Sequence, residues 1–312
     1  MDDSEKIIRL VEDYQNAHRV LDDLNCRCNE IEQSDEYLLG RKIRNSWWLR
    51  FIGIAYDLAI SIKYKIRRSK NYLAFENNIK YTDTLALYDY KIAVYTCIIG
   101  DYDQPQEPLF KSSNVDYILV SDGQLSSTGV WKVINVHTIK GVPTSDNTRI
   151  SRYVKLHPHL FLPDYDYSIY IDGNIKTVGD MRYLIHFLNQ YGFVSNLHRN
   201  RNCIYEEFEA CVCLKKGNPQ TMRKQIDSYR SAGMSEHYGL IEANILVRNH
   251  HNPICIEIMD RWWQKIVKHS NRDQLSLPFV LWEMGIPVSE IGRIGNNVYK
   301  IPSIRIQPHA KG

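Results

Sequence analysis

Residues 149–174 read RISRYVKLHPHLFLPDYDYSIYIDGN. In the first half, Ile150, Tyr153, Val154 and Leu160 recur at helical spacing, which predicts a helix over 148–161. The second half, YSIYIDG at 167–173, is a short apolar run ending on Asp172. That is how a buried strand followed by a turn reads. The same alternation continues outward on both sides. Upstream, KIAVYTCIIG at 91–100 is a near-continuous apolar run closed by glycine, VDYILVSD at 115–122 is a second strand, and 131–139 is a third. Downstream, 181–191 reads as a helix, IEANILVR at 241–248 as a strand, and 253–268 and 273–284 as two further helices. Strands alternating with helices imply an α/β fold with a mostly parallel sheet and crossover helices. Ligands of such sheets bind beyond the carboxyl ends of the strands.

Those ends carry the candidate chemistry. Asp101, Tyr102 and Asp103 follow the first strand, Ser121 and Asp122 close the second, and Asp172, Gly173 and Asn174 follow the fourth. A carboxylate held at a strand end suits a hard cation that takes oxygen ligands. Glycine at 173 allows a sharp turn and a close approach to a ligand. The alternative is a plain turn, since Asp, Gly and Asn are turn formers.

Residues 149–174 resemble the segment of family-eight-type retaining glycosyltransferases in which an arginine-bearing helix leads through Leu-Pro to a Tyr-Leu-Asp-x-Asp motif, here Tyr170-Ile171-Asp172-Gly173-Asn174. Tyr238–Asn244 resembles that family's Asn-Ser-Gly-type strand beside the acceptor. Arg272–Ser276 resembles its Asp-Gln-Asp-x-Leu-Asn helix start, and His309-Ala310-Lys311-Gly312 its His-x-x-Gly motif. Over roughly 92–285 the chain is also similar to a glycosyltransferase-like family of bacterial polysaccharide loci and plant mucilage-related proteins. That second likeness lies in the Ile-Asp-Gly-Asn element, in His198-Arg199-x-Arg201-x-Cys203-Ile204-Tyr205-Glu206-Glu207, and in Ser270-x-Arg272-Asp273-Gln274-Leu275-Ser276.

The resemblance implies a GT-A fold, Rossmann-like with its mostly parallel sheet flanked by helices, over 90–312. It implies a nucleotide-sugar donor, a UDP-sugar first among them, and a glycan or lipid-linked acceptor in bacterial surface polysaccharide synthesis. Asp172, Asn174 and His309 would hold Mn²⁺ or Mg²⁺, with Asn174 standing where the family has a second carboxylate. Tyr102 and Asp122 would contact the base and ribose. Arg152, Lys155 and Lys311 would lie near the diphosphate, and the alternative for Arg152 and Lys155 is a solvated basic helix face. Asp273, Gln274 and Glu242 are the candidate catalytic groups, Asp273 equally reading as a helix N-cap. His198, Arg199, Arg201, Glu206, Glu207 and His237 are the candidate acceptor contacts, or else a surface loop with local salt bridges.

The first 80 residues lie outside the resemblance and read as a helical leader. Residues 4–34 carry Ile7, Val11, Tyr14, His18, Leu21, Leu24 and Ile31 at steps of three and four, a stripe compatible with a coiled-coil homo-oligomer or with docking on the main domain. Residues 41–70 interleave Trp47 and Trp48 with Arg41, Arg44, Arg50, Arg67 and Arg68. That suits the surface of an anionic membrane, or an amphipathic helix packed on the domain. No run of about 18 apolar residues occurs. The opening Met-Asp-Asp-Ser-Glu-Lys is no signal peptide, and the 7 cysteines form no disulfide framework. Together these imply a cytoplasmic protein, peripheral to the membrane if 41–70 engages it. The net charge of +3 gives no case for nucleic acid. Two other readings stand beside the transferase: a metal-assisted lipid amide hydrolase, which has no Gly-x-Ser-x-Gly or His-Glu-x-x-His motif to support it, and a non-catalytic scaffold that binds nucleotide sugar.

Overall fold

The computed structural model describes residues 90–309 apart from 101, 113 and 124–128. The expectations for 4–34, 41–70 and Lys311 fall outside the described residues. Six strands form the main sheet: β1 (Ile92–Ile98), β2 (Val115–Ser121), β3 (Trp131–Asn135), β4 (Tyr167–Ile171), β6 (Phe193–Leu197) and β7 (Ile241–Arg248). Their order is β3-β2-β1-β4-β7-β6. β1 pairs parallel with β2 and β4, β2 pairs parallel with β3, and only β7 runs antiparallel to its neighbours β4 and β6. A separate ribbon joins β5 (Ile175–Thr177) to β8 (Ile304–Ile306). The sheet is the α/β, mostly parallel plan expected from the sequence.

Every residue of β1 is buried, as its continuous apolar run requires of a central parallel strand covered on both faces. Its side chains alternate between two cores. Ala93, Tyr95 and Cys97 pack with Val154, Trp262 and Val280, which lie on the helices α1 (Asn147–Leu156), α5 (Pro253–Lys268) and α6 (Asp273–Glu283). Ile92, Val94 and Ile98 pack with Met181, Leu184 and Val298 on the other face. A third core forms where α3 (Ile204–Cys213) and α4 (Pro219–Ser231) meet α6, with Tyr229 and Phe279 stacked at 3.7 Å.

Three element boundaries differ from expectation. The helix expected over 148–161 stops at Leu156 and resumes as the single turn α2 (Pro158–Phe161). Pro158 has no N–H to donate and disfavours helical backbone at His157. The third strand ends at Asn135, whose Oδ1 accepts the His137 N–H at 2.9 Å and turns the chain into a short 3-10 segment. The expected helix over 181–191 is a 3-10 run, Arg182–Phe187. Strands β5, β6 and β8 and helices α3 and α4 are additions to the sequence reading. A last short helix, α7 (Val288–Ile291), follows α6.

Candidate active site

Because β7 runs antiparallel, its beginning lies beside the end of β4. The Asp172 N–H donates to the Asn244 carbonyl at 3.0 Å. Residues after β1, β2, β4 and β6 and the first residues of β7 therefore meet along one edge of the sheet. Gly173 permits the closest approach there. A Cβ on it would lie 3.1 Å from Ile98 Cγ1 and 3.2 Å from Asp103 Oδ2, so that these neighbours would have to give by a few tenths of an ångström.

At this edge the C-terminal tail returns. The Asn174 amide donates to the Gln307 carbonyl at 2.9 Å, and its Nδ2 lies 3.4 Å from His309 Nε2. His309 Nδ1 lies 2.9 Å from Asp103 Oδ2, and the Tyr102 ring sits 5.3 Å from the imidazole. Asn174 and His309, 135 residues apart, are thus neighbours, and His309 also meets a carboxylate, Asp103, that sequence spacing did not single out as a ligand. Asp103 was visible as one of three polar residues after β1, but nothing local tied it to the tail. Asp122 takes the Gly100 N–H on Oδ2 at 2.9 Å, and its Oδ1 is buried with no hydrogen-bond partner.

Arg152 and Lys155 are not a solvated face. The Lys155 side chain is 2% exposed, and its ammonium donates to Asp273 Oδ2 at 2.7 Å and lies 3.6 Å from Asp172 Oδ1. Arg152 Nε lies 3.3 Å from the same Asp273 oxygen. Burial alone would raise the Asp273 pKa, but Arg152 and Lys155 hold its carboxyl well below the usual carboxylate range. Asp273 is also not the helix N-cap. Arg272 holds that position without a side-chain cap bond, and Asp273 opens α6 with its carboxylate turned to the two cations. Gln274 reaches the Ile241 carbonyl at 3.4 Å.

The segment 198–207 divides. Arg201 bonds Glu207 Oε2 through Nε at 2.7 Å. His198 Nδ1 accepts the Arg201 N–H at 3.0 Å. Burial, then the Arg201 charge, lowers the His198 pKa to about 4, so the ring is neutral. This trio is an internal brace. Arg199 instead lies over the Tyr299 ring at 4.6 Å, Glu206 is exposed, and His237 pairs with Asn202 at 2.6 Å on the surface. Glu242 sits on β7 opposite Asn196 of β6. Burial pushes its carboxyl up to about 7, against Arg199 and the Val298 N–H, which favour the ionised form.

Among the described residues no three His, Cys, Asp or Glu groups form a set able to hold a metal ion. The group at the end of β4 mixes one carboxylate, one amide and one imidazole. Carboxylate and amide oxygens are the kind of donor that Mg²⁺ and Mn²⁺ take, whereas imidazole is softer and the Asn174 atom nearest His309 is its amide nitrogen.

Comparison with known proteins bears on the family. A family model described as "TOD1/MUCI70, glycosyltransferase-like domain" matches residues 65–293. A curated relative, "Probable hexosyltransferase MUCI70" of Arabidopsis thaliana, is 28% identical over 163 residues, which cover 49% of this chain and 27% of that protein. The chain therefore spans only about a quarter of that relative's length. Among solved structures, "WbbM bifunctional glycosytransferase apo structure" aligns with a TM-score of 0.38 at 9% identity, covering 68% of this chain and 39% of that one.

Proposed function

Since the chain belongs to the TOD1/MUCI70 glycosyltransferase-like family, we propose that it transfers a sugar from a nucleotide diphosphosugar to a glycan or lipid-linked acceptor in surface polysaccharide synthesis. One observation carries this reading. Asp122 after β2, Tyr102 and Asp103 after β1, Asp172 and Asn174 after β4, and the returning His309 gather at the carboxyl edge of a mostly parallel sheet, where such folds bind nucleotides.

In this proposal the exposed Tyr102 ring packs on the base, with a UDP-sugar as the expected donor. Asp122 Oδ1, buried without a partner, accepts a ribose hydroxyl. Arg152 and Lys155 act through Asp273. Their charges fix that carboxylate and bring Lys155 beside Asp172, so they position the Asp172 side chain rather than grip the diphosphate. Asp172, Asn174 and His309 are the groups that would hold Mg²⁺ or Mn²⁺. A bound divalent cation supplies charge neutralisation for the departing diphosphate. The protein's own share is orientation of the sugar and exclusion of water. Membrane-surface contact through 41–70, self-association through 4–34 and a cytoplasmic location belong to the same proposal.

The test is calorimetric titration of the full chain with UDP, GDP and CDP, with and without Mn²⁺, on wild type and Asp172→Ala. Metal-dependent UDP binding lost in the variant is expected. Binding of no nucleotide would overturn the reading.

A further inference from the structure

The short ribbon of β5 and β8 turns one face to the protein and the other to solvent. Ile175 and Ile304 are buried in the core that holds Met181, Leu184 and Val298. Successive strand residues point to opposite faces, so Lys176 and Arg305 stand on the outer side. The register of the ribbon sets these two cations directly opposite each other, a placement in which like charges repel.

Residues 109–111 lie along the other edge of β5. The Leu109 N–H donates to the Thr177 carbonyl at 2.9 Å, and the Phe110 carbonyl accepts the Tyr117 hydroxyl at 3.2 Å. The backbone is thus held, yet Leu109 is 67% and Phe110 39% exposed, and the next residue, Lys111, is exposed as well. The neighbouring carboxylate, Asp180, is taken up by Arg182 and by the Ser112 hydroxyl. Among the described residues none of Lys111, Lys176 and Arg305 is in an ion pair. Three cations without counter-charges therefore lie beside two large apolar side chains in water.

We infer that this outer face of the ribbon, with Leu109, Phe110, Lys111, Lys176 and Arg305, docks on the surface of an anionic membrane. Unpaired cations call for an anionic partner, and an exposed leucine beside a phenylalanine calls for an apolar one. A bilayer with acidic headgroups offers both in one plane, phosphates at the surface and hydrocarbon just beneath. An acidic polymer in water would satisfy the cations and leave the leucine solvated. The ribbon is joined directly to the candidate site. Asn174 precedes β5, its carbonyl takes the Gln307 N–H at 2.8 Å, and its amide donates back to the Gln307 carbonyl. Docking places that edge of the sheet within a 3-residue strand of the bilayer. The inference goes beyond the transferase reading and does not require it, and it is separate from any contact made by 41–70.

The test is co-sedimentation of the full chain with vesicles of phosphatidylcholine, alone or mixed with phosphatidylglycerol. UDP binding and melting temperature are measured on the same proteins. Binding to the phosphatidylglycerol vesicles, weakened by salt, is expected. Lys176→Gln with Arg305→Gln should weaken it about tenfold, and Leu109→Ser with Phe110→Ser about as much. Both pairs should leave UDP binding and the melting temperature nearly unchanged, since none of the four side chains fills a core. No vesicle binding, or binding that either pair leaves unchanged, overturns the docking face. Loss only with Arg67→Gln and Arg68→Gln would assign the membrane contact to 41–70 instead. Retention on an acidic polysaccharide column that falls with the cation pair alone, without vesicle binding, would give the face to a glycan and overturn the lipid reading. Vesicle binding sensitive to both pairs in a protein that binds no UDP would support the docking face and overturn the transferase reading.

Discussion

Two carboxyl groups a few residues from the same sheet edge live in opposite surroundings. Asp273 is buried against Lys155 and Arg152 and stays ionised. Glu242 is buried beside Asn196, with one oxygen unpartnered and its pKa raised. In the first region every charge has a counter-charge in the protein. In the second, three buried polar atoms of Asn196 and Glu242 have no hydrogen-bond partner. The distinction is physical, because a buried group without a partner keeps its full desolvation cost until something binds.

The largest effect should come from breaking the complete region. Asp273→Asn leaves the buried Lys155 and the partly buried Arg152 with only the more distant, part-exposed Asp172 as counter-ion, and denaturant unfolding should show a loss of about 3 kcal/mol. Asp273 has a folded pKa below its unfolded value. Its contribution should therefore be present above the ordinary aspartate pKa of about 4 and fade as pH falls. A loss under about 1 kcal/mol would mean that the cluster is open to water and the contrast between the regions is false.

Glu242 should behave with the opposite sign. Its folded pKa of about 7 lies above the ordinary glutamate value of about 4.5. The folded state therefore binds more protons than the unfolded chain between these values, and stability falls as pH rises from 4.5 to 7. Glu242→Gln keeps the shape of the protonated acid. It should match wild type below pH 4.5 and exceed it by about 1–3 kcal/mol at neutral pH. Melting curves at pH 4 and pH 7.5 for both proteins test this, and a constant difference would remove the buried-carboxyl account.

The smallest effect on folding belongs to the exposed rim. Tyr102, 52% exposed, packs no core. Tyr102→Ala should leave stability within about 0.5 kcal/mol while weakening nucleotide binding about tenfold, roughly 1.4 kcal/mol. Unchanged nucleotide affinity would take the base away from this ring.

The backbone plan was legible because burial leaves a linear signature. The run 92–98 is apolar at every position but Thr96, as a strand covered on both faces favours. Asp172 at the end of β4 was legible for the same reason, since the apolar run stops where the crevice begins. Glu242 stood out as a charge within an apolar strand. Asn196 did not, because β6 is only 5 residues long and FVSNL carries no turn, charge or motif to mark it. A polar residue two positions after Val194, on the same strand face, was the available signal.

The sequence by itself determined the fold class, the places of β1, β2, β4 and β7 and the family. These rest on local periodicity and on motifs read along the chain. Only the tertiary structure decided that Lys155 faces Asp273 across 118 residues rather than solvent, that Asp103 and Asn174 meet His309, and that Asn196 lies opposite Glu242. Each of these depends on strand order, register and the return of the tail. A helical face can be read as basic from spacing alone, but whether it meets water or a buried carboxylate is settled only by what packs on it, and that partner is distant in sequence.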